Sequence, residues 1–73
     1  MLEDGSYDVV VIDAREGAAD GDVALELAVL GGAHKGEMVR ITAAGMGRDP
    51  LDLLALPGTL VVDGGEPHVH LDG

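Results

Sequence analysis

The sequence predicts a mainly β domain, a small five-stranded Greek-key barrel with one short helix, in the order β-β-β-α-β-β. Three observations carry that expectation. Asp49-Pro50-Leu51-Asp52 has the chemistry of a helix start: a carboxylate at the N-cap, a proline suited to the first helical position and negative charge in the first turn. Pro57-Gly58 stops the run, so the helix is expected near 49–56. Strand-like segments lie on both sides of it, and the last two are separated by Gly64-Gly65, a pair that permits the positive φ of a tight hairpin.

Each element has its own signal. Residues 1–6 are polar and read as a flexible N-terminus, with a single domain over 7–73. Tyr7 to Asp13 is β-branched through its centre and reads as a strand buried on both faces for part of its length; Ala14 to Asp22 reads as a loop. In Val23 to Leu30 the odd positions Val23, Leu25, Leu27 and Val29 are large and apolar, while Glu26 lies opposite. The same residues are good helix formers flanked by Asp22 and Gly31 as candidate caps, so the alternative is a small α/β unit with 23–30 helical. The unbroken period of two and the short length favour the strand. After a turn over 31–36, Val39, Ile41 and Ala43 face one way and Met38, Arg40 and Thr42 the other. Gly45-Met46-Gly47 leads into the helix, and Thr59 to Asp63 and Pro67 to Leu71 form the final hairpin.

Composition narrows the function classes. The 73 residues allow one domain, with a thin core of Val, Leu and Ala and a single aromatic of the Phe, Trp and Tyr class, Tyr7. Such a core gains from pairing with another subunit, so a homodimer is a natural expectation. Fourteen acidic against four basic residues give a formal net charge of −10, which repels phosphate at long range. There is no cysteine, hence no disulfide and no thiolate metal site. No apolar run approaches the roughly 18 residues of a membrane span, and the start lacks a basic signal-peptide head. The expectation is an acidic cytoplasmic protein with no membrane association.

The element order, with the turn Gly32-Ala33-His34-Lys35-Gly36-Glu37, resembles the OB fold, and the run from Leu27 to Ile41 is similar to the strand-turn-strand of short OB-like proteins of actinomycetes. The resemblance implies binding of nucleic acid, oligosaccharide or protein on the face of strands two and three. Here that face would carry Ala24, Glu26, Ala28, Met38, Arg40 and Thr42. None is aromatic, so bases would lack a stacking platform worth about 1–3 kcal/mol each. The loop between the first two strands carries Arg15 but also Glu16, Asp20 and Asp22, and Asp63 and Glu66 frame the last turn. Against these acids stand only Arg15, Lys35, Arg40 and Arg48, so nucleic-acid binding that depends on phosphate neutralisation is not expected. His34-Lys35-Gly36 also resembles the basic turn of KOW-type SH3-like barrels, although a plain β-turn with a solvated Lys35 accounts for the same residues.

His68, His70 and Asp72 alternate along the last strand and should share a face. They are adequate ligands for Zn²⁺ or Ni²⁺, but positions two apart on a flat strand lie about 7 Å from each other and rarely close a site alone. A polar outer face, with Val69 and Leu71 turned inward, is the simpler reading, and no metal or other cofactor is assigned. Catalysis has no motif behind it: the only serine is Ser6, without a Gly-x-Ser-x-Gly setting, and there is no phosphate-binding glycine loop. The sequence thus points to a non-enzyme: a β-barrel module for protein–protein interaction or self-association. A single-stranded nucleic-acid accessory protein and a metal-binding barrel are the alternatives.

Overall fold

The computed structural model describes residues 2–44 and 49–72. Gly45-Met46-Gly47, expected to lead into the helix, lies outside the described residues, as do Arg48, Met1 and Gly73. Five strands and one helical turn follow the predicted order: β1 (Gly5–Glu16), β2 (Val23–Val29), β3 (Met38–Ala43), α1 (Pro50–Leu53), β4 (Pro57–Asp63) and β5 (Glu66–Leu71). All pairings are antiparallel, in the sheet order β3-β2-β1-β4-β5. The sheet curls into a half-barrel consistent with a small OB-like fold. Its outer strands, β3 and β5, are not joined to each other in that order.

Of the two structures that residues 23–30 allow by pattern, the chain takes the strand, over Val23–Val29. Its burial alternates strictly, with Val23, Leu25, Leu27 and Val29 at no more than 4% exposure. The small α/β alternative is thereby set aside.

β1 is the long central strand, and it differs from expectation in three ways. It begins at Gly5, where Gly5 and Ser6 pair with Val62 and Val61 of β4, so these two residues belong to the sheet. It continues through Glu16, so Arg15 and Glu16 stand in the strand and not in the following loop. Burial on both faces is confined: Val9 and Val11 are fully buried, whereas Val10 is half-buried and Ile12 is exposed. Ile12 follows the alternation outward and is itself the extra residue of a β-bulge. Val11 pairs with Leu27, but the next partner, Glu26, is met by Asp13 and not by Ile12. One extra residue reverses which side each position faces. Val9 and Val11 point inward before the bulge, and Ala14 packs on the core after it.

The helix is shorter than 49–56. Asp49 caps it as expected, its carboxylate accepting from Leu51 N at 3.0 Å, and Pro50 takes the first position. After Leu53 the chain leaves helical geometry, Leu54 at φ −60, ψ 137 and Ala55 at φ +66, with Leu56 N donating to the Leu53 carbonyl. That is a type II turn, whose third residue requires positive φ. It delivers Ala55 N to the Val11 carbonyl at 2.8 Å and Leu56 O to Val11 N at 3.0 Å, tying the helix exit to the edge of β1. Leu53 is wholly buried and joins the core cluster with Leu60 and Val62 of β4, while α1 packs on β1.

β4 and β5 turn at Gly64 (φ +60) and Gly65 (φ +82), as expected for the hairpin. Asp4 reinforces that turn, its two carboxylate oxygens accepting from Gly64 N and Gly65 N at 3.0 and 3.2 Å. Gly58 is required for a different reason. A Cβ there would stand 2.5 Å from the His70 carbonyl oxygen and 3.1 Å from Leu71 Cα, both backbone atoms of the paired strand.

Two substitutions probe these backbone demands. Gly58→Ala should lower unfolding free energy by about 1–3 kcal/mol, because β5 must move to admit the methyl group. Ala55→Gly should raise it by up to about 1 kcal/mol, since glycine accepts the left-handed conformation without steric cost. Urea denaturation monitored by circular dichroism checks both, and an unshifted midpoint in Gly58→Ala contradicts the packing described.

Candidate functional site

The expected face exists as one surface. Because β2 buries its odd residues, Ala24, Glu26 and Ala28 point outward, and the β3 register sets Thr42, Arg40 and Met38 directly beside them. Glu26 and Arg40 occupy the centre and form an ion pair, Arg40 Nε to Glu26 Oε2 at 2.7 Å. The carboxylate raises the Arg40 pKa above its ordinary value, chiefly through that hydrogen bond, so the guanidinium stays charged. Met38, 63% exposed, sits at one end beside Ala28.

Two further residues join this face. The bulge in β1 turns Asp13 toward Glu26 and Arg15 toward Ala24, and Arg15 Nε bonds Asp13 Oδ2 at 3.0 Å. Asp13, Arg15, Ala24, Glu26, Arg40 and Thr42 line a shallow depression of about 400 Å³. An unbroken alternation from Val9 and Val11 would turn Asp13 and Arg15 inward, so simple patterning misses them. The available signal is the polar Asp13 arriving where a third inward apolar residue is due.

The turn residues His34, Lys35 and Gly36 behave as a turn. Gly36, at φ +90, donates its N–H to the Val29 carbonyl, and Lys35 is exposed. His34 is engaged inside the chain: its Nδ1 pairs with Glu37, and its ring stands edge-on to Tyr7 at 5.8 Å between centroids. The lone aromatic is therefore packed against this turn, apart from the β2–β3 face.

On β5, His68 and His70 are exposed on the outer face and Asp72 is exposed beyond them, while Val69 and Leu71 pack on the core. His68 Nε2 lies 3.9 Å from Glu66 Oε2. Among the described residues, no three His, Asp, Glu or Cys side chains of one chain come together as a metal-holding group. Glu16, Asp20, Asp22 and Asp49 surround a second depression of about 380 Å³, whose lining is strongly acidic.

Among the described residues, no helix is long and apolar enough to cross a membrane. No known family, curated protein or solved structure matches the chain.

The face disfavours polyanions. Its two arginines are each held by a carboxylate, and stacking side chains are lacking at its named positions. Short single-stranded DNA or RNA should show no measurable binding at physiological salt in fluorescence anisotropy. Micromolar affinity that falls steeply as salt is added would contradict this assignment of the face.

Proposed function

We propose that this chain is a non-catalytic binding module that meets a protein surface, a second copy of itself, through the outer face of β2 and β3. The observation that carries the reading is the Glu26–Arg40 pair at the centre of a face whose other β2 and β3 positions are Ala24, Ala28, Thr42 and Met38, with the Asp13–Arg15 pair of β1 at its margin. A two-fold axis running along the strands between Glu26 and Arg40 sets each Arg40 against the partner's Glu26, so in that arrangement the patch complements its own charge pattern. Arg40 is 86% exposed in its side chain and keeps unused guanidinium donors for such a contact. The small side chains permit close approach of the two sheets, and the flexible thioether of Met38 fills irregular space between them.

Charge sets the limit on this association. Two chains of net −10 repel, and added salt screens that repulsion within a Debye length of about 8–10 Å near physiological ionic strength. Self-association should therefore strengthen from low to moderate salt. Sedimentation velocity in the presence of a chelator, with Met38→Glu beside the parent chain, tests this. The expected result is a salt-favoured dimer that Met38→Glu weakens by about tenfold or more, equivalent to about 1.4 kcal/mol. A monomer at every salt concentration, indifferent to the substitution, removes self-association through this face.

A further inference from the structure

We infer that the free edge of β5 pairs with the same edge of a second copy, and that the pair assembles a Zn²⁺-class divalent-metal site from His68 and His70 of both chains. The inference uses none of the β2–β3 face and goes beyond the reading above.

The hydrogen-bond parity of β5 decides what the edge offers. Asp72 N donates to the Pro57 carbonyl at 2.9 Å, and the register continues as Thr59–His70, Val61–His68 and Asp63–Glu66. Antiparallel ladders bond at alternate pairs, so the amides of Glu66, His68, His70 and Asp72 face β4. Those of Pro67, Val69 and Leu71 face away from the sheet. Pro67 has no N–H, so its outward position costs the sheet nothing and blunts only one end of the edge. Among the described residues, Val69 and Leu71 have no partner for their outward donors and acceptors, and their side chains are only half-buried.

A second copy satisfies this edge symmetrically. With Val69 on the two-fold axis, Val69 exchanges both backbone bonds with the partner's Val69, and each Leu71 N–H reaches the partner's Pro67 carbonyl. The other free edge is less suited. On β3 the outward-facing groups belong to Met38, Arg40 and Thr42, and the corresponding axis would set Arg40 against the partner's Arg40. Like charges directly opposite are unfavourable, whereas two valines are not.

That register aligns the outer face. His68 falls opposite the partner's His70 as a non-hydrogen-bonded pair, with Cα atoms about 4.5 Å apart. Along each strand His68 and His70 are separated by about 7 Å. A single β5 cannot close a coordination sphere, and the second strand supplies the missing imidazoles. Neutral imidazole nitrogens in a set of four match the ligand number and type that Zn²⁺ prefers. Glu66, already 3.9 Å from His68, falls opposite the partner's Asp72, so carboxylates flank the imidazoles at both ends. Those carboxylates, with two chains of −10, resist pairing until a divalent cation offsets part of that charge at the seam. The dimer is therefore gated by metal.

Titration of the full chain with Zn²⁺, followed by calorimetry and by sedimentation against a chelated control, tests the site. The expected result is a doubling of mass at roughly one Zn²⁺ per two chains. His68→Ala and His70→Ala should each lose it, and both lie on the exposed face, so folding is preserved and checked by circular dichroism. His34→Ala and Met38→Glu should respond to Zn²⁺ as the parent chain does. Three outcomes overturn the inference: no zinc response, zinc binding without a gain in mass, or a zinc dimer that survives loss of both His68 and His70. A zinc dimer lost in Met38→Glu also overturns it and moves the contact to the β2–β3 face. Salt-favoured association in chelator, by contrast, reports only on that face.

Discussion

One strand serves both halves of the molecule, and its bulge is what makes that possible. β1 pairs with β4 over Gly5–Val10 and with β2 over Val9–Glu16, so only Val9 and Val10 have a partner strand on both sides. The extra residue at Ile12 increases local twist and bends the strand, which carries β2 and β3 around toward the interior. Leu53 enters the core from the α1 turn, whose exit is held by the two backbone bonds between Val11 and residues 55–56.

The same geometry explains where the chain has surfaces to offer. Burial is complete in the middle of the sheet and declines toward both ends: the described residues of β1, β2 and β4 include wholly buried side chains, while Val39 and Ile41 of β3 and Val69 and Leu71 of β5 are half-buried. A core built from Val and Leu with so little aromatic area is not deep enough to hide its margins. The half-barrel therefore presents a weakly polar face at the β3 side, centred on an ion pair, and a short backbone edge at the β5 side, lined by imidazoles. The two differ in chemistry and lie at opposite ends of the strand order, so each can be engaged without the other.

Much of this was legible in the residues because several local signals agree. Alternation in Val23–Val29 fixed a strand against its own helix propensity, Gly64-Gly65 fixed a hairpin, and Asp49-Pro50 fixed a helix start. These are short-range effects, decided by neighbours two to four positions away. What escaped is long-range or depends on one residue of register. The bulge at Ile12 moves Asp13 and Arg15 onto the outer face, and no propensity scale encodes such a slip. The early end of the helix at Leu53 is set by tertiary bonds to Val11, which override the good helix formers that follow. Asp4 looks like part of a polar tail, yet it anchors a turn some sixty residues along the chain.

The central claim is that β1 is the middle strand of an open sheet whose edge strands, β3 and β5, are not paired with each other. Amide hydrogen exchange at low protein concentration, with a chelator present, tests it residue by residue. The account predicts the slowest exchange at the bonded amides around Val9, Val11, Leu25 and Leu27. It predicts fast exchange at Met38, Arg40 and Thr42 of β3 and at Val69 and Leu71 of β5, whose N–H groups face outward. Strong protection of those outward amides in the monomer would mean that β3 and β5 are joined and the barrel is closed, and the account of both edges would be wrong.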